Sequence, residues 1–412
     1  MIVVGGTYVE FTDVPGSRTV AGSGLRAAGA IAATGEVELV SAVDDSMSDE
    51  ASVVATGLGV ALRPVRRDQP VAFNYFTPIS SPSIDGPAAT YDGVLEADAE
   101  TLLCFGMIEH GPRRLRGRTC VIDPQRPRDL AGLSLDGIEA DRIGLVCNRS
   151  EIRAIGGSDD LLMSARAAST RLDAQAVVVK RGALGCSVLI NNSLVDVGPH
   201  PTERVWPIGS GDVFASAFSY AWGNGADAVD AARIGSAAAS WWCGSRNPTV
   251  PKSVLDGRGE EVPGIGPAVD LVDHPVVYLA APFFCLSQRW LVETSREALR
   301  GLGAEVFSPF HDVGDGGDEV AAADLDGLRT CGSVLALVDG FDAGTLYECG
   351  WAHRAEIPVV AFGADDQAEG AKMLVGSGAE LHSDFSSSVY RAVWAAMGVN
   401  LVGRRVSGFE FQ

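Results

Sequence analysis

The chain has 412 residues, enough for two domains of ordinary size, and 46% hydrophobic against 21% charged residues provides a substantial core rather than wholesale disorder. With 32 Lys and Arg against 53 Asp and Glu, the net charge of −21 repels phosphate backbones and anionic lipid. Neither nucleic acid nor a membrane surface is an expected partner, whereas small anionic substrates stay open because helix dipoles and ions reverse the field locally.

The chain opens directly on a strand, Ile2–Val4, with no basic segment or cleavage site before it. Further β-rich runs are Val37–Val43, Thr101–Phe105, Thr119–Ile122, Ile143–Val146, Ala176–Val179 and Ser187–Ile190. Between them Gly24–Ala33, Asp159–Leu172, Asp212–Trp222 and Ala226–Cys243 have helical spacing. The alternation predicts a largely parallel sheet with helices on its faces. Periodicity then fails between about Asn247 and His274, where Pro248, Pro251, Pro263 and Pro267 mix with Gly257, Gly259, Gly264 and Gly266. The organisation expected is a first domain over 1–250, a linker over 251–273 and a second domain over 274–412. There the rhythm restarts with strands at Val276–Ala280, Glu305–Phe307, Val334–Val338 and Pro358–Phe362, and helices about Gln288–Arg300, Val320–Leu328 and Thr345–Ala355. This predicts a compact, doubly wound, flavodoxin-like parallel-sheet domain. No apolar run approaches the roughly 18 residues that cross a bilayer. The eight cysteines are scattered without a Cys-x-x-Cys pair and read as buried free thiols. A cytoplasmic location is expected.

In the first half, Gly209-Ser210-Gly211-Asp212 precedes a helix. Small residues there let backbone N–H groups close around an anion, and an aspartate can take the proton of an attacking hydroxyl. Asp123-Pro124-Gln125, Asn148-Arg-Ser-Glu151 and Lys180-Arg181-Gly182-Ala-Leu-Gly185 each follow a strand. In this order and spacing the set resembles the ribokinase-like (PfkB) family of sugar and nucleoside kinases. The resemblance implies a three-layer α/β domain using ATP and Mg²⁺. It makes Asp212 the base, Gly209, Ser210 and Gly211 the anion hole, and Asn148 and Glu151 the support for Mg²⁺ and phosphate, with Glu151 an indirect metal partner. Gly182 and Gly185 would lie near the nucleotide, and Glu10, Gly22 and Gly24 at the acceptor. Trp206-Pro207-Ile208 departs from the family pattern ahead of the glycines, and the short stretch from Glu10 to Gly22 implies a lid that is reduced or built from other residues.

In the second half, Tyr278-Leu-Ala-Ala-Pro282-Phe283-Phe284 ends one strand, Phe307-Ser-Pro309-Phe-His311-Asp312 follows the next, and Asp324-Leu-Asp326-Gly327 precedes a third. After that third strand comes Asp339-Gly-Phe-Asp342-Ala-Gly344-Thr345-Leu-Tyr-Glu348. Grouped carboxylates suit chemistry at a sugar carbon, one attacking and another managing a proton. These four motifs in order resemble the nucleoside 2-deoxyribosyltransferase family. The resemblance assigns Glu348 as the nucleophile that forms a covalent glycosyl intermediate, Tyr278 as its orienting donor, and Asp324 and Asp342 as contacts to base or sugar that relay protons. Asp339 and Phe283 become substrate contacts, and no cofactor is implied. Asn400 is the candidate for an asparagine that completes a neighbouring subunit's pocket, so a homo-oligomer is expected.

The sequence therefore points to a bifunctional enzyme of nucleoside or sugar salvage. One half would phosphorylate a sugar or nucleoside hydroxyl, and the other would cleave or exchange the N-glycosidic bond of a (deoxy)nucleoside. The alternative is a hydrolase of nucleoside 5′-monophosphates joined to a non-catalytic, kinase-like sensor.

Overall fold

The computed structural model describes residues 1–125, 130, 133–259, 262–314, 316–363 and 370–409. They form two compact units: the first holds Met1–Arg181, Gly185–His200 and Pro207–Gly266, the second Gly182–Leu184, Pro201–Trp206 and Pro267–Gln412. Both are mixed α/β, as the alternation predicts.

Thirteen strands belong to the first unit: β1 Ile2–Val4, β2 Tyr8–Thr12, β3 Ser17–Ala21, β4 Val37–Val43, β5 Val60–Arg66, β6 Ala72–Tyr75, β7 Ser83–Asp85, β8 Leu95–Phe105, β9 Arg113–Asp123, β10 Ile138–Asn148, β11 Ala174–Lys180, β12 Cys186–Ile190 and β13 Ser193–Val197. Its helices are α1 Gly22–Ala30, α2 Ser48–Gly57, α3 Arg149–Gly156, α4 Leu161–Leu172, α5 Ser210–Gly223, α6 Ala228–Ser245 and α7 Lys252–Leu255. Nine strands make the main sheet, in the order β13-β12-β11-β10-β9-β8-β1-β4-β5. It is parallel except for the antiparallel edge β11-β12-β13. The central strands end in unbroken buried runs such as Leu102–Phe105 and Val177–Val179, as a sheet covered on both faces requires. On α5, Phe214, Phe218 and Trp222 recur every fourth residue and stack at 6.5 and 5.9 Å.

A second sheet of four strands, β3-β2-β6-β7, is not among the expected elements. The short stretch after Glu10 forms the hairpin β2–β3, and β6 and β7 complete the sheet from a segment without clear alternation. Arg67 anchors it from below. Fully buried, it gives Nη1 to Glu109 Oε1 at 2.6 Å and to the Thr7 carbonyl at 3.0 Å, and Nη2 to Asp44 Oδ2 at 2.5 Å. Tyr8, at the start of β2, donates to the other Glu109 oxygen at 2.7 Å. The expected linker is also shorter: α7 lies inside it, Val254 and Leu255 are buried, and the first unit continues to Gly266.

In the second unit β14 Val276–Ala280, β15 Glu305–Phe307, β16 Ser333–Leu337, β17 Val359–Phe362, β18 Glu380–His382 and β19 Arg404–Val406 form one parallel sheet in the order β15-β14-β16-β17-β18-β19. Its helices are α8 Leu286–Gly301, α9 Pro309–Asp312, α10 Asp318–Arg329, α11 Ala343–Arg354, α12 Ala371–Gly376 and α13 Phe385–Ala396. Numbered within the unit the order is 2-1-3-4-5-6, so the winding reverses at β14. In open α/β sheets ligands bind outside the carboxyl ends of the strands at that reversal, which here means the ends of β14 and β16. Among the described residues no helix is long and apolar enough to cross a membrane. Six cysteines are buried, Cys243 is partly buried and Cys285 is exposed.

Removing Arg67 strands two acids in the interior, so Arg67→Met should cost about 3–5 kcal/mol. Urea unfolding followed by circular dichroism measures it, and Tyr8→Phe should cost only about 1 kcal/mol because Glu109 keeps its arginine.

Candidate active sites

In the second unit Tyr278 lies on β14 with its ring inside and its hydroxyl 2.6 Å from Glu348 Oε1. Three features bring the two together. β14 and β16 are neighbours, with Tyr278 opposite Val334. The turn after β16 then reverses through Gly340 and Phe341, both at positive φ (81° and 49°). Asp342 caps α11, its Oδ2 accepting from the Thr345 amide at 2.9 Å and hydroxyl at 3.1 Å, which sets the helix phase and turns Glu348 toward β14. Asp342 is therefore partly a structural cap as well as a candidate contact.

Asp324 reaches the same place from α10. Gly327, one turn later, permits this: a Cβ there would stand 2.1 Å from the Phe307 ring, and Phe307 in turn stacks on Tyr278 at 5.5 Å. Asp324 Oδ1 is buried without a partner among the described residues, and burial raises its pKa. Its neighbour Asp326 faces outward, paired with Arg329. Burial likewise pushes Glu348 up to about 7, against the Tyr278 hydrogen bond, which lowers it, while Asp324 and Asp342 add repulsion. Tyr278 is raised far above its ordinary value by burial and by the Glu348 charge. The result is a carboxylate raised to about 7 and oriented through one oxygen.

The remaining predicted contacts are less concentrated. Phe283 packs on Phe310 at 5.1 Å and on Phe284 at 5.6 Å, giving an aromatic ledge beyond β14. Asp339 is exposed at the end of β16. Asn400 does not join this group. It lines a separate cavity of about 510 Å³ with Gly332, His353, Pro358 and Ala379, at the amino ends of β16, β17 and β18.

In the first unit the predicted residues converge at the carboxyl ends of β9, β10 and β11 and the start of α5. The arrangement carries two surprises. Asn148 and Glu151 form a reciprocal capping box on α3: Glu151 Oε2 accepts from the Asn148 amide at 2.7 Å, and Asn148 Oδ1 accepts from the Glu151 amide at 2.9 Å. The Asn-x-x-Glu spacing thus has a local structural cause of its own. The second surprise is Arg26 of α1, which spacing did not single out. It is buried, gives Nη1 to Asp212 Oδ2 at 2.7 Å, and gives Nη2 to Glu10. Burial works against its charge, but Glu10 and Asp212 outweigh it and raise its pKa.

Gln125, at φ 36°, takes the second Asp212 oxygen at 2.6 Å, and the Gly22 amide takes the second Glu10 oxygen at 3.2 Å. Gly209 must be glycine here: φ is 81° and a Cβ would fall 2.2 Å from the Arg26 guanidinium. Gly24 is as tightly confined, since a Cβ there would fall 2.6 Å from the Gly5 backbone. A cavity of about 470 Å³ opens beside this group, walled by Tyr8, Phe73, Ile84 and Ile108, with Gln125 and Glu151 as polar edges. Gly185 belongs to the first unit, where a Cβ would fall 2.2 Å from the Val197 carbonyl oxygen, whereas Gly182 groups with the second. Among the described residues no three His, Cys, Asp or Glu stand together as a metal site.

Comparison with known proteins divides the chain the same way. Residues 127–254 match the pfkB family carbohydrate kinase model, and residues 277–385 match the nucleoside 2-deoxyribosyltransferase model. One chain thus carries a domain of each family. No curated protein matches it. Similar solved structures include a phosphofructokinase-2 mutant from Escherichia coli, at 14% identity and TM-score 0.48. Others are a ribokinase from Thermotoga maritima (16%, TM-score 0.47) and the adenosine kinase from Sinorhizobium meliloti (15%, TM-score 0.48). Each alignment covers 63% of this chain and 98% of the other.

The raised Glu348 value has a sign that can be checked. The folded chain holds this proton more tightly than the unfolded one, so its contribution to stability is greatest below the ordinary 4.5 and is lost as pH rises to about 7. Glu348→Gln keeps an acceptor for Tyr278 without the buried charge. The variant should gain on the native protein across that interval, reaching on the order of 2 kcal/mol at pH 8; melting curves at pH 4.5 and 8 measure it.

Proposed function

We propose that the second unit breaks the N-glycosidic bond of a (deoxy)nucleoside through a glycosyl-enzyme intermediate on Glu348. The observation that carries this reading is the Tyr278–Glu348 hydrogen bond at 2.6 Å, at the reversal of the sheet, with Asp324 and Asp342 close enough to raise the glutamate. Tyr278 holds Oε1 and leaves Oε2 to attack C1′. As the C1′–N bond breaks, its electron pair stays on the base, and Asp324, whose burial favours the protonated form, supplies the proton. An acceptor base or water then attacks C1′ and frees the Glu348 carboxylate, and the attacking group's proton returns to Asp324. The ledge of Phe283 and Phe310 offers a stacking face for the base. The acids gathered here favour a neutral nucleoside over a 5′-monophosphate, whose charge they would oppose.

For the first unit we propose ATP-dependent phosphorylation of a sugar or nucleoside hydroxyl, with Asp212 as base and the head of α5 receiving the transferred group. Arg26 favours a second reading, that of a ligand-binding but non-catalytic unit. Both acids that would handle the acceptor already have a donor on each oxygen, Arg26 and Gln125 on Asp212, Arg26 and the Gly22 amide on Glu10. The two readings separate on the full chain with a panel of sugars and nucleosides. A kinase forms ADP and loses it by several orders of magnitude in Asp212→Asn; a sensor forms none.

Incubating the chain with deoxynucleosides should yield a protein heavier by one deoxypentosyl group, located on Glu348 by peptide mass spectrometry. Absence of the adduct in the native protein, with and without an acceptor base, would remove the covalent route. Tyr278→Phe should lower kcat about 10–100-fold with little change in KM, because it frees the nucleophile's orientation rather than substrate binding. The pH–kcat/KM profile should rise through an apparent value near 7 as Glu348 ionises.

A further inference from the structure

The face of the small sheet that carries Glu10 is aromatic. Side chains alternate across a strand and directly opposed residues share a face. Tyr8 and Glu10 of β2 therefore stand with Phe73 and Tyr75 of β6, and Phe73 with Ile84 of β7. Tyr8 and Phe73 pack at 5.2 Å, and with Ile84 and Ile108 they wall the cavity of about 470 Å³ beside Asp212. Gln125 joins the two places, lining the cavity and giving Nε2 to Asp212 at 2.6 Å. Next to the acids Tyr75 keeps its phenol proton, because burial and the Glu10 charge raise its pKa.

This combination sorts the acceptors. A free pentose carries hydroxyls around its ring, and those set against an apolar wall lose water without gaining a partner. A phosphorylated acceptor meets Glu10, Glu151 and Asp212, while the two cations nearby are already paired, Arg26 with Glu10 and Asp212 and Lys180 with Asp123. A neutral nucleoside fits both halves: its sugar hydroxyls reach the carboxylates and Tyr75, and its base stacks on the aromatic wall. The second unit selects the same class, since Asp324 and Asp342 beside Glu348 oppose a phosphate as well.

Chemistry then orders the two reactions. Base exchange breaks one C1′–N bond and forms another, so it stops at a mixture near balance. Phosphorylation by ATP runs far downhill, and its product carries the charge that the acids of the second unit repel. The reverse order would offer that unit a monophosphate.

We propose that the nucleoside made by base exchange in the second unit is the acceptor phosphorylated by the first, so that ATP draws the exchange forward and the new phosphate bars its return. The inference rests on the transfer and kinase readings of the two units, and it adds the substrate class that joins them. In the exchange, donor nucleoside and acceptor base give a new nucleoside and the freed base. A hydroxyl oxygen of the new nucleoside then bonds to the γ-phosphorus of ATP, the bridging P–O bond breaks with its electrons leaving on ADP, and the hydroxyl proton passes to Asp212 and on to solvent.

The full chain tests this with Mg²⁺, a panel of the common deoxynucleosides and ¹⁵N-labelled free bases, followed by mass spectrometry with and without ATP. Without ATP a labelled nucleoside should form and level off. With ATP the label should pass into a nucleoside monophosphate, and donor consumption should go beyond that level. In separate assays of ADP formation, nucleosides should exceed 2-deoxyribose, ribose and their 5-phosphates by about tenfold or more in kcat/KM, and Phe73→Ala should raise KM for the nucleoside about tenfold. Ile84→Ala makes a milder form of the same change, and the comparison of acceptors on the native chain needs no variant. Preference for a free or phosphorylated pentose overturns the inference and leaves the kinase reading standing. Entry of label into an added nucleoside monophosphate overturns the order. Exchange without any ADP removes the kinase reading, ADP without exchange removes the transfer reading, and the inference falls with either.

Discussion

The second unit turns on one short hydrogen bond inside a poor solvent. Tyr278 gives Glu348 a single strong donor at 2.6 Å, while burial and two neighbouring acids push the other way and win. A carboxylate with several donors would be stable, ionised and inert; one with none would be neutral. One donor leaves it oriented through Oε1 and poised between its two forms. The surrounding chain serves this balance. Strand adjacency sets the Tyr278–Glu348 distance, the Asp342 cap sets the phase of α11, and the missing Cβ at Gly327 lets α10 lie on Phe307 so that Asp324 arrives at the same point.

The first unit applies the same physics with the opposite balance. Its acids at the acceptor side are over-supplied with donors: Arg26 and Gln125 on Asp212, Arg26 and the Gly22 amide on Glu10. Asn148 and Glu151 also spend themselves on each other as a capping box. Varying either one removes a partner from the start of α3.

Much of this was legible because its causes are local. β1, β4, β14 and β15 fall where the apolar runs place them, and the carboxylate motif comes together around Glu348 because strand, turn and capped helix are encoded within a dozen residues. The strands β8, β9 and β10 extend further back than their apolar cores, because their first halves mix exposed polar residues with isolated apolar ones such as Leu95, Ala97 and Leu115 instead of an unbroken apolar run. β6 and β7 escaped notice for a related reason: each is four residues or fewer, and their pairing is long-range. In the tail, α13 carries three serines after its first residue, Phe385, but Asp384 accepts from the Ser386 and Ser387 amides, a cap signal that could have found it. Arg26 also had a readable signal: it is the one charge in a nine-residue helix otherwise made of Gly, Ala, Ser and Leu. A charge among small, buried residues needs a partner, but sequence does not say which acids, 16 and 186 positions away, will provide it.

That last point separates what composition measures from what a site contains. A net charge of −21 describes the surface and the long-range field, and it argues well against polyanionic partners. It is silent about a buried group, where the count that matters is of donors within hydrogen-bond reach. Around Asp212 two cations stand among four acids, Glu10, Asp123, Glu151 and Asp212, while the donor to Glu348 is one neutral phenol. The same excess of acid therefore yields an ion-paired centre in one unit and a nearly neutral, proton-sharing one in the other. Burial, by making each missing or added donor worth kilocalories rather than tenths, is what turns the difference into distinct chemistry.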